Sequence, residues 1–389
     1  MIAVIADDFS GAAEIAGVGL RYGLRGEVQT EVDVGCEGEL VVVDTDTRWR
    51  QAGQAAGEVG KAAARLERIG PEWVYKKVDS VLRGPVAAEV EGARAALGKG
   101  RVVLVPANPS LGRQVRQGRY FVDGKPIDQT GFANDPEYPA RSCDVRDLLG
   151  ASESDKVIVA GVGEGLPAAG IVVGDASCKT DLMRWAECCD DATLAAGGAE
   201  FFEALLETKG YTLKAAADSV RDYPSGKGAA MFVCTSTSAN SKKAVELARG
   251  RNVPVAAMPA ELLEAEAGCE EYLERWAEDA AAALQQSGRV IVTIEGSAGY
   301  SGLTARRLCG HTAALVEKVV GRIAVPEVYI EGGAAASATA RRLGWKRFCP
   351  CCELAAGVVR MRVLQKRGQY LTIKPGSYRW PDNVWPLGH

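Results

Sequence analysis

The chain has 389 residues, of which 47% are hydrophobic and 25% are charged; these proportions are typical of a well-buried globular protein, and the length predicts two α/β domains. The net charge of −4 leaves no basic excess to neutralise phosphates, which argues against a nucleic-acid partner. The sequence has neither a signal segment nor an apolar run approaching the roughly 18 residues of a membrane span, so we expect a cytoplasmic protein without a membrane partner.

The first predicted unit is a strand followed by a helix. The apolar run 2–6 ends in Asp7 and Asp8, and alanine-rich, helix-compatible sequence follows at once. In open α/β sheets, ligands bind beyond the carboxyl ends of the strands, where this turn lies. Because successive strand residues point to opposite faces, we expect one carboxylate to act on a ligand and the other to cap or brace the turn. The alternative, that both carboxylates only cap and solvate the helix start, stays open.

Strands and helices continue to alternate through the first half of the chain. The sequence predicts strands over 40–48, 73–80, 101–108, 156–162 and 170–175, with helices over 52–69, 85–97 and 178–189. This alternation is typical of βαβ crossovers and a mostly parallel sheet. The interval 109–149 is rich in Gly, Pro, Asp and Arg and lacks periodicity, which favours a lid or binding loop.

A short polar stretch with Pro and Gly over 223–228 is the predicted linker. It divides the chain into an N-terminal domain, 1–222, and a C-terminal domain, 229–389. In the second domain the sequence predicts strands over 231–234, 253–258, 289–295, 327–330, 358–364 and 370–373, with helices over 239–249, 260–285 and 304–320. The predicted fold class is α/β, with two domains that each hold a mostly parallel sheet flanked by helices.

Polar side chains of the first half concentrate at predicted strand ends. These residue types suit a small anionic substrate, because they offer cations for a carboxylate or phosphate and carboxylates for hydroxyls. Arg83 precedes Gly-Pro at a helix start, where backbone N–H groups also face outward. The alternative is a solvated lysine face with an Asp–Arg surface pair, but charged residues that end buried strands favour a ligand crevice. The substrate-binding candidates are Asp7, Ser10, Lys76, Lys77, Ser80, Arg83, Asn108 and Arg113, and the catalytic candidates are Asp8 and Asp79.

Small residues join strands to helices in the second half, in the turns 235–238, 332–335 and 374–377. Small side chains let the backbone approach phosphate oxygens, and a helix N-terminus favours them. Any one turn could serve packing alone, but three in one domain predict a nucleotide-phosphate site. No Walker A signature occurs, and the glycine run 161–165 lacks the third glycine of a dinucleotide fingerprint. The nucleotide-binding candidates are Ser236, Ser238, Gly332, Gly333, Ala334, Ala335, Lys374 and Gly376.

The chain has 11 cysteines and two histidines. An odd, dispersed set of cysteines without a secretion signal favours reduced thiols. The cysteine cluster 349–352 has no second CxxC pair with which to hold zinc. With only His311 and His389 available, we do not expect a Ser-His-Asp triad. The sequence identifies no protein ligands for a metal.

An ordered set of motifs gives the chain a family resemblance. The motifs are Ala-Asp-Asp-Phe-Ser-Gly-Ala at 6–12, Lys-Lys-Val-Asp-Ser-Val-Leu-Arg-Gly at 76–84 and Glu-Gly-Gly at 331–333, with further matches at 106–109, 112–113, 121–127 and 132–136. In this combination the chain resembles the four-carbon acid sugar kinase family over nearly its whole length. The resemblance implies an N-terminal domain that binds the acid sugar, a C-terminal domain that binds ATP, and an active site in the interdomain cleft. Members phosphorylate acids such as threonate, erythronate and their 3-oxo relatives on the terminal hydroxyl.

The same resemblance implies roles for single residues. It places ATP contacts on Ser238, 332–335 and Gly376, and substrate contacts on Asp8, Asp79, Ser80 and Arg83. The departures from the family pattern all fall on the nucleotide side: Ala334 and Ala335 replace an acidic and a hydroxyl residue, and positions 235–236 and 374–379 also differ. We expect these departures to affect the affinity for ATP more than the acid-sugar site.

The hypothesis from sequence is an ATP-dependent kinase that phosphorylates a small sugar acid, with Mg²⁺ bridging the phosphates. Such a transfer needs one carboxylate to orient the hydroxyl or accept its proton, and Asp8 is the first candidate and Asp79 the second. Arg83 and either Lys76 or Lys77 would hold the substrate carboxylate. The alternatives are a non-catalytic sugar-acid-binding protein with a degenerate nucleotide site and an enzyme that acts without ATP. A homodimer stays open, because no heptad or apolar stripe indicates an interface.

Overall fold

The structure is a computed structural model that describes residues 1–135, 137–150, 157–214, 228–236, 238–264, 269–295, 302–376, 378–382 and 384. Two units make up the chain, Met1–Lys214 and Ala215–His389. Of the predicted linker 223–228, only Gly228 belongs to the described residues. Within the described ranges, we find no helix whose length and hydropathy would let it span a bilayer.

The first unit is built on a parallel sheet. Its strands are β1 (Ile2–Ala6), β2 (Gly26–Gln29), β3 (Leu40–Asp44), β4 (Trp73–Lys77), β5 (Arg101–Val105), β6 (Arg113–Arg116), β7 (Arg119–Val122), β8 (Lys125–Pro126), β9 (Val157–Ala160), β10 (Gly170–Gly174) and β11 (Thr193–Gly197). The order across the large sheet is β2-β3-β1-β4-β11-β5-β10-β9, and all neighbours are parallel. Because β1 lies between β3 and β4, the residues that follow these three strands meet at one edge of the sheet.

Helices accompany the strands of the first unit. The α-helices are Phe9–Arg21, Ala52–Glu67, Val86–Ala96, Val145–Leu148, Lys179–Glu187 and Ala199–Thr208, and 3₁₀ turns occur at Pro109–Leu111, Ile127–Gln129 and Gly131–Asn134. Helix Ala52–Glu67 illustrates their packing, because Ala55, Val59, Ala63 and Leu66 are buried at spacings of three and four residues. Together with Ala62, these residues form one apolar face that joins the core.

The interval 109–149 is more regular than predicted. It contains the antiparallel sheet β6-β7-β8, whose strands are joined by two-residue turns. Both central residues of each turn have positive φ, at Gln117 and Gly118 in the first and at Asp123 and Gly124 in the second. Such turns match the twist of a hairpin, and Asp-Gly is a strong sequence signal for one. The expectation that this interval is irregular was therefore wrong for residues 113–126.

The second unit has a mixed sheet. Its strands are β12 (Ala230–Cys234), β13 (Val255–Ala257), β14 (Arg289–Thr293), β15 (Glu327–Glu331), β16 (Arg347–Ala355), β17 (Val358–Val363) and β18 (Tyr370–Lys374), and its helices are Ala239–Gly250, Ala260–Glu264, Glu270–Ser287, Gly302–Arg322 and Gly333–Arg342. The order is β13-β14-β12-β15-β18-β17-β16, parallel from β13 to β18 and antiparallel beyond. The neighbours β12, β15 and β18 therefore bring their carboxyl ends together.

Some predicted elements need correction. The helix predicted over 260–285 is two helices in the described residues, and Cys269 precedes the second with non-helical φ −94° and ψ 10°. The sequence analysis missed β2, β11 with its following helix Ala199–Thr208, and β16. Strand β16 holds the cysteine cluster and carries Pro350 next to a shift in register, where a missing N–H is tolerated.

Candidate functional sites

Asp7 and Asp8 directly follow β1, and Asp8 also begins the next helix. Asp8 is the N-cap of helix Phe9–Arg21: its Oδ1 accepts a hydrogen bond from the Gly11 N–H at 2.7 Å, and its Oδ2 accepts one from the Ser10 hydroxyl at 2.7 Å. A Cβ atom at Gly11 would lie 2.9 Å from Asp8 Oδ1 and 3.3 Å from Lys77 Nζ. Glycine thus lets the helix start pack against both charged groups.

Arg48, in the loop after β3, contacts three carboxylates, two that follow β1 and one that follows β4. Its Nε donates to Asp7 Oδ2 at 2.7 Å and its Nη1 to Asp8 Oδ2 at 2.7 Å. Its Nη2 lies 3.8 Å from Asp79 Oδ1, beyond β4. The side chains are 11% exposed for Arg48 and 1%, 5% and 8% for the three aspartates. The sequence analysis did not single out Arg48, although it lies in the polar end of a predicted strand.

The charges of this cluster stabilise one another. Burial alone would raise the pKa of Asp7, but the positive charges of Arg48, Lys76 and Lys77 outweigh it, and the pKa lies below its ordinary value. Burial likewise opposes ionisation of Asp79, and Arg83 and Arg48 hold its pKa below the ordinary value. Both carboxylates are therefore ionised at neutral pH.

Two lysines at the end of β4 are compensated by glutamates from helices. Lys76 Nζ lies 2.7 Å from Glu89 Oε2, and both side chains are buried. Lys77 Nζ lies 3.2 Å from Glu14 Oε2 and donates to the carbonyl of Val78 at 3.0 Å. Burial raises the pKa of Glu89, and the positive charge of Lys76 opposes this shift. Each predicted substrate-binding lysine thus has an acidic partner within the unit.

Arg83 has a more exposed side chain than Arg48 and the three aspartates Asp7, Asp8 and Asp79. Its Nε and Nη2 donate to the two carboxylate oxygens of Asp79 at 2.9 Å, and its Nη1 donates to Asp135 Oδ2 at 3.2 Å. Its side chain is 32% exposed, against 8% for Asp79. The guanidinium carbon lies 5.9 Å from the centre of the Phe132 ring. Arg83 thus stays partly exposed while it pairs with both Asp79 and Asp135.

The remaining predicted residues of the first unit lie around Arg83. The Arg113 guanidinium donates to the Ser80 hydroxyl and lies 6.0 Å from the Phe132 ring centre. Asn108 is buried, and its side-chain oxygen accepts the Glu200 N–H at 3.3 Å, so it serves the local backbone. The structure therefore groups Ser80 and Arg113 with the ring of Phe132, and Asn108 pairs with Arg113 through two backbone hydrogen bonds.

A pocket of about 380 Å³ adjoins Arg83. It is lined by Val81, Leu82, Arg83, Gly84, Ile127, Phe132, Glu137, Tyr138, Pro139, Ala140, Arg141, Ser142, Asp147 and Leu148. The segment that follows β8 thus forms one wall of a space that a small ligand could enter.

In the second unit the three predicted turns contact one another. The hydroxyls of Ser236 and Ser238 donate to the Gly376 carbonyl at 3.0 Å and 2.9 Å. The Gly332 N–H donates to the carbonyl of Lys374 at 2.8 Å. The ends of β12, β15 and β18 thus form one polar surface of small residues.

Two helices begin at this surface. Ser238 caps helix Ala239–Gly250 by accepting the Ser241 N–H at 3.2 Å. Helix Gly333–Arg342 has no side-chain cap, and Gly332 precedes it with φ 88°. Its first N–H groups therefore lack a side-chain acceptor at the point where the helix dipole favours an anion. Ala334 and Ala335 lie in this first turn.

Lys374 is buried among acceptors of its own unit. Its Nζ donates to the carbonyls of Pro375 at 3.0 Å and Tyr378 at 2.7 Å, and it lies 3.3 Å from Glu331 Oε1. Glu331 Oε2 accepts the Ser241 hydroxyl at 2.5 Å. Burial lowers the pKa of Lys374, and the charge of Glu331 opposes this shift. The buried amino group of Lys374 thus links the end of β15 to the turn after β18.

Among the described residues, no group of three or more His, Cys, Asp or Glu side chains is arranged to hold a metal ion. The cysteines of β16 are free thiols, with Cys351 and Cys352 buried.

Two family models match the chain. The model described as a sugar-binding N-terminal domain matches residues 2–205, and the one described as a nucleotide-binding C-terminal domain matches 231–378. The sugar-binding match falls in the first unit, which carries the charged side chains at its strand ends. The nucleotide-binding match falls in the second unit, which carries the small-residue turns.

The chain is also similar to curated kinases. It is 34% identical to the D-threonate kinase of Bordetella bronchiseptica over 48% of this chain and 49% of that protein. It is 34% identical to the D-threonate kinase of Salmonella typhimurium over 38% of this chain and 35% of that protein. It is 27% identical to the 3-oxo-tetronate kinase of Methylobacterium radiotolerans over 97% of this chain and 96% of that protein. The chain thus spans half or less of the two D-threonate kinases and nearly all of the third relative.

Solved structures share the fold. A protein from Haemophilus influenzae matches with a TM-score of 0.67 at 21% identity, over 96% of both chains. A protein from Salmonella typhimurium matches with a TM-score of 0.74 at 21% identity, over 97% of this chain and 96% of that one.

Proposed function

Because the chain belongs to the family that joins a sugar-binding N-terminal domain to a nucleotide-binding C-terminal domain, the four-carbon acid sugar kinase family, we propose that it transfers the γ-phosphoryl group of ATP to a hydroxyl of a small sugar acid. The observation that supports this most is that one chain carries two different strand-end surfaces, one of ionised side chains and one of small residues at helix starts. Four-carbon acids such as threonate, erythronate or 3-oxo-tetronate are the proposed substrates, since the relatives carry such names.

In the first unit, we assign the substrate carboxylate to Arg83 and Arg113. Both guanidinium groups flank Phe132, and Arg83 is partly exposed. A guanidinium pairs well with a carboxylate, and the pairs that Lys76 and Lys77 form with glutamates favour the arginines for this task.

Asp8 remains the first candidate to orient the reacting hydroxyl, with Asp79 second. Asp79 is fully engaged by Arg83 and its pKa is held below the ordinary value, which makes it a weak proton acceptor. Phosphoryl transfer depends mainly on positioning and charge stabilisation, so a carboxylate that is ionised and fixed in place suits the orienting role. Ser10, which bonds to Asp8, would share in that placement.

In the second unit, we assign the phosphates to the surface formed by Ser236, Ser238, Gly376 and the start of helix Gly333–Arg342. Backbone N–H groups at a helix start bind phosphate without a cationic side chain. Lys374 would support this surface by holding the turns in place, since its amino group is already surrounded by acceptors of its own unit. Mg²⁺ in such sites is held largely by phosphate oxygens and water, and it would neutralise the charge that develops on the transferred group.

The test is ADP release from ATP and Mg²⁺ across a panel of four-carbon sugar acids, with five- and six-carbon acids as controls. We expect turnover with one or two four-carbon acids and little with the longer acids. Failure of every acid to release ADP, together with sugar-acid binding in a thermal-shift assay, would contradict the kinase and support the non-catalytic alternative. Consumption of an acid without ADP formation would indicate chemistry that does not use ATP.

A further inference from the structure

We propose that Arg48 is a positioning residue of the phosphoryl-transfer site, which fixes Asp7 and Asp8 relative to Asp79 without touching the substrate. This inference rests on the proposed function, and it concerns a residue outside the predicted site. Its basis is that one guanidinium bonds to two consecutive carboxylates and approaches a third at the end of the neighbouring strand.

The fork of an arginine is needed for this arrangement. Consecutive residues at a strand end point in different directions, so a partner bonds best to both carboxylates if it presents donors on two separate nitrogen atoms. Arg48 does so with Nε toward Asp7 and Nη1 toward Asp8, each at 2.7 Å. The ammonium of a lysine is a compact charge on a flexible stem and does not present a planar fork.

The backbone of Arg48 is itself fixed from several sides. Its N–H donates to the Asp7 carbonyl at 3.2 Å, and its own carbonyl accepts the Tyr138 hydroxyl at 2.7 Å. Gly84, at φ 93°, packs so closely that a Cβ atom there would lie 3.0 Å from the Arg48 carbonyl. With its side chain 11% exposed and its Nε and Nη1 bonded to Asp7 and Asp8, Arg48 acts through the aspartates.

Other charged groups also face the aspartates and bear on any pH effect. Lys76 and Lys77 from β4 act on Asp7. Glu89, paired with Lys76, lies in helix Val86–Ala96. On the Asp79 side, Arg83 supplies the main positive charge. Arg48 is the cation that bonds directly to both aspartates after β1, so its removal should weaken the ionised form of Asp7 despite the lysines.

The decisive variant is Arg48→Lys, which keeps the charge and removes the fork, with Arg50→Lys in the same loop as the matched control. For the sugar acid that turns over best, we expect Arg48→Lys to lower kcat at least tenfold with the KM for ATP within twofold of wild type. We also expect the acidic limb of the kcat/KM profile to move to higher pH, because the aspartates lose part of their stabilisation. Arg50→Lys should match wild type in all three measurements.

Wild-type kcat and an unmoved acidic limb in Arg48→Lys would overturn the inference while leaving the kinase intact. If the wild-type protein phosphorylates no acid of the panel, the proposed function fails, and Arg48 is then judged by the titration of ¹³C-labelled aspartate carboxyls. In that measurement an upward shift of the Asp7 pKa in Arg48→Lys supports the positioning role, and an unchanged titration contradicts it. An Arg48→Met variant that folds should show the larger shift.

Discussion

The two units place different chemistry at the ends of their strands. In Met1–Lys214 the ends of β1, β3 and β4 carry ionised side chains that pair with one another, as in the contacts of Arg48. In Ala215–His389 the ends of β12, β15 and β18 carry hydroxyls, glycines and helix starts, and the Lys374–Glu331 pair is buried. Ionised and hydroxyl-binding groups suit a small acid sugar, whereas backbone N–H groups suit phosphate. The residues that follow parallel strands thus differ in chemistry between the two units, although both sets lie at the carboxyl ends of neighbouring strands.

The largest effect should come from Asp8→Asn in the charged surface. Asparagine still caps the helix, so the fold should persist, but the hydroxyl loses its carboxylate partner. We expect kcat to fall by about 10²- to 10⁴-fold with the affinity for ATP unchanged. Steady-state kinetics at saturating ATP measure this, with Asp191→Asn as an exposed control in the same unit. A kcat within threefold of wild type would remove Asp8 from the orienting role.

The next effect should come from Lys374→Met in the small-residue surface. Removing one partner of a buried ion pair leaves Glu331 without its cation, which costs about 3–5 kcal/mol of stability. We expect a lower unfolding midpoint and a higher KM for ATP, with the KM for the acid unchanged. The double variant Lys374→Met/Glu331→Gln should recover part of the stability. If the KM for the acid rose and that for ATP did not, the assignment of the two surfaces would be reversed.

A smaller effect should follow from Ser238→Ala. This change removes the cap of helix Ala239–Gly250 and one bond to Gly376, and loss of a cap costs about 0.5–2 kcal/mol. We expect the KM for ATP to rise severalfold with kcat nearly unchanged. Ser287→Ala, at the end of helix Glu270–Ser287, is the matched control. A wild-type KM for ATP in the Ser238 variant would indicate that this turn does not meet the nucleotide.

The smallest effect concerns pH. Because the pKa of Lys374 is lowered in the folded protein, the unfolded chain holds this proton to higher pH, and stability increases with pH up to the ordinary lysine value of about 10.5. Denaturant unfolding at alkaline pH, up to about 10.5, should show this increase in wild type and a smaller one in Lys374→Met. Burial raises the pKa of the Cys234 thiol, which opposes this increase in stability with pH, so the slopes of the two proteins are compared with each other. Equal slopes would contradict the lowered pKa.

Much of the fold follows from local sequence pattern. The sequence predicts the first strand and helix, the later βα alternation and the three small-residue turns. It can do so because hydrophobic periodicity and the positions of glycine and serine are local signals. The family resemblance, carried by the motifs at 6–12 and 76–84, is confirmed by the two family models. Strand β11, Thr-Leu-Ala-Ala-Gly, escaped prediction because it has few β-branched residues and owes its place to pairing with β4 and β5.

The pairing of charged residues could not be read from the sequence in the same way. Arg48 and Asp8 are 40 residues apart, and only the order β3-β1-β4 brings them together. Likewise, Lys76 was predicted to face substrate because the sequence does not reveal that Glu89 lies 2.7 Å away. Residues at a strand end are predictable, whereas which of them remain available to a ligand depends on contacts between distant segments.

The central claim is that the charged surface binds the acid and the small-residue surface binds the nucleotide. Calorimetry on one preparation of the intact chain tests it most directly, with D-threonate and, separately, a non-hydrolysable ATP analogue with Mg²⁺ as titrants. Wild type, Arg83→Gln and Ser238→Ala are compared, with Arg68→Gln as an exposed control. We predict that Arg83→Gln weakens acid binding about tenfold or more and leaves nucleotide binding unaffected, while Ser238→Ala weakens nucleotide binding severalfold and leaves acid binding unaffected. Equal loss of both ligands in Arg83→Gln, or no binding of the nucleotide to wild type, would contradict the account.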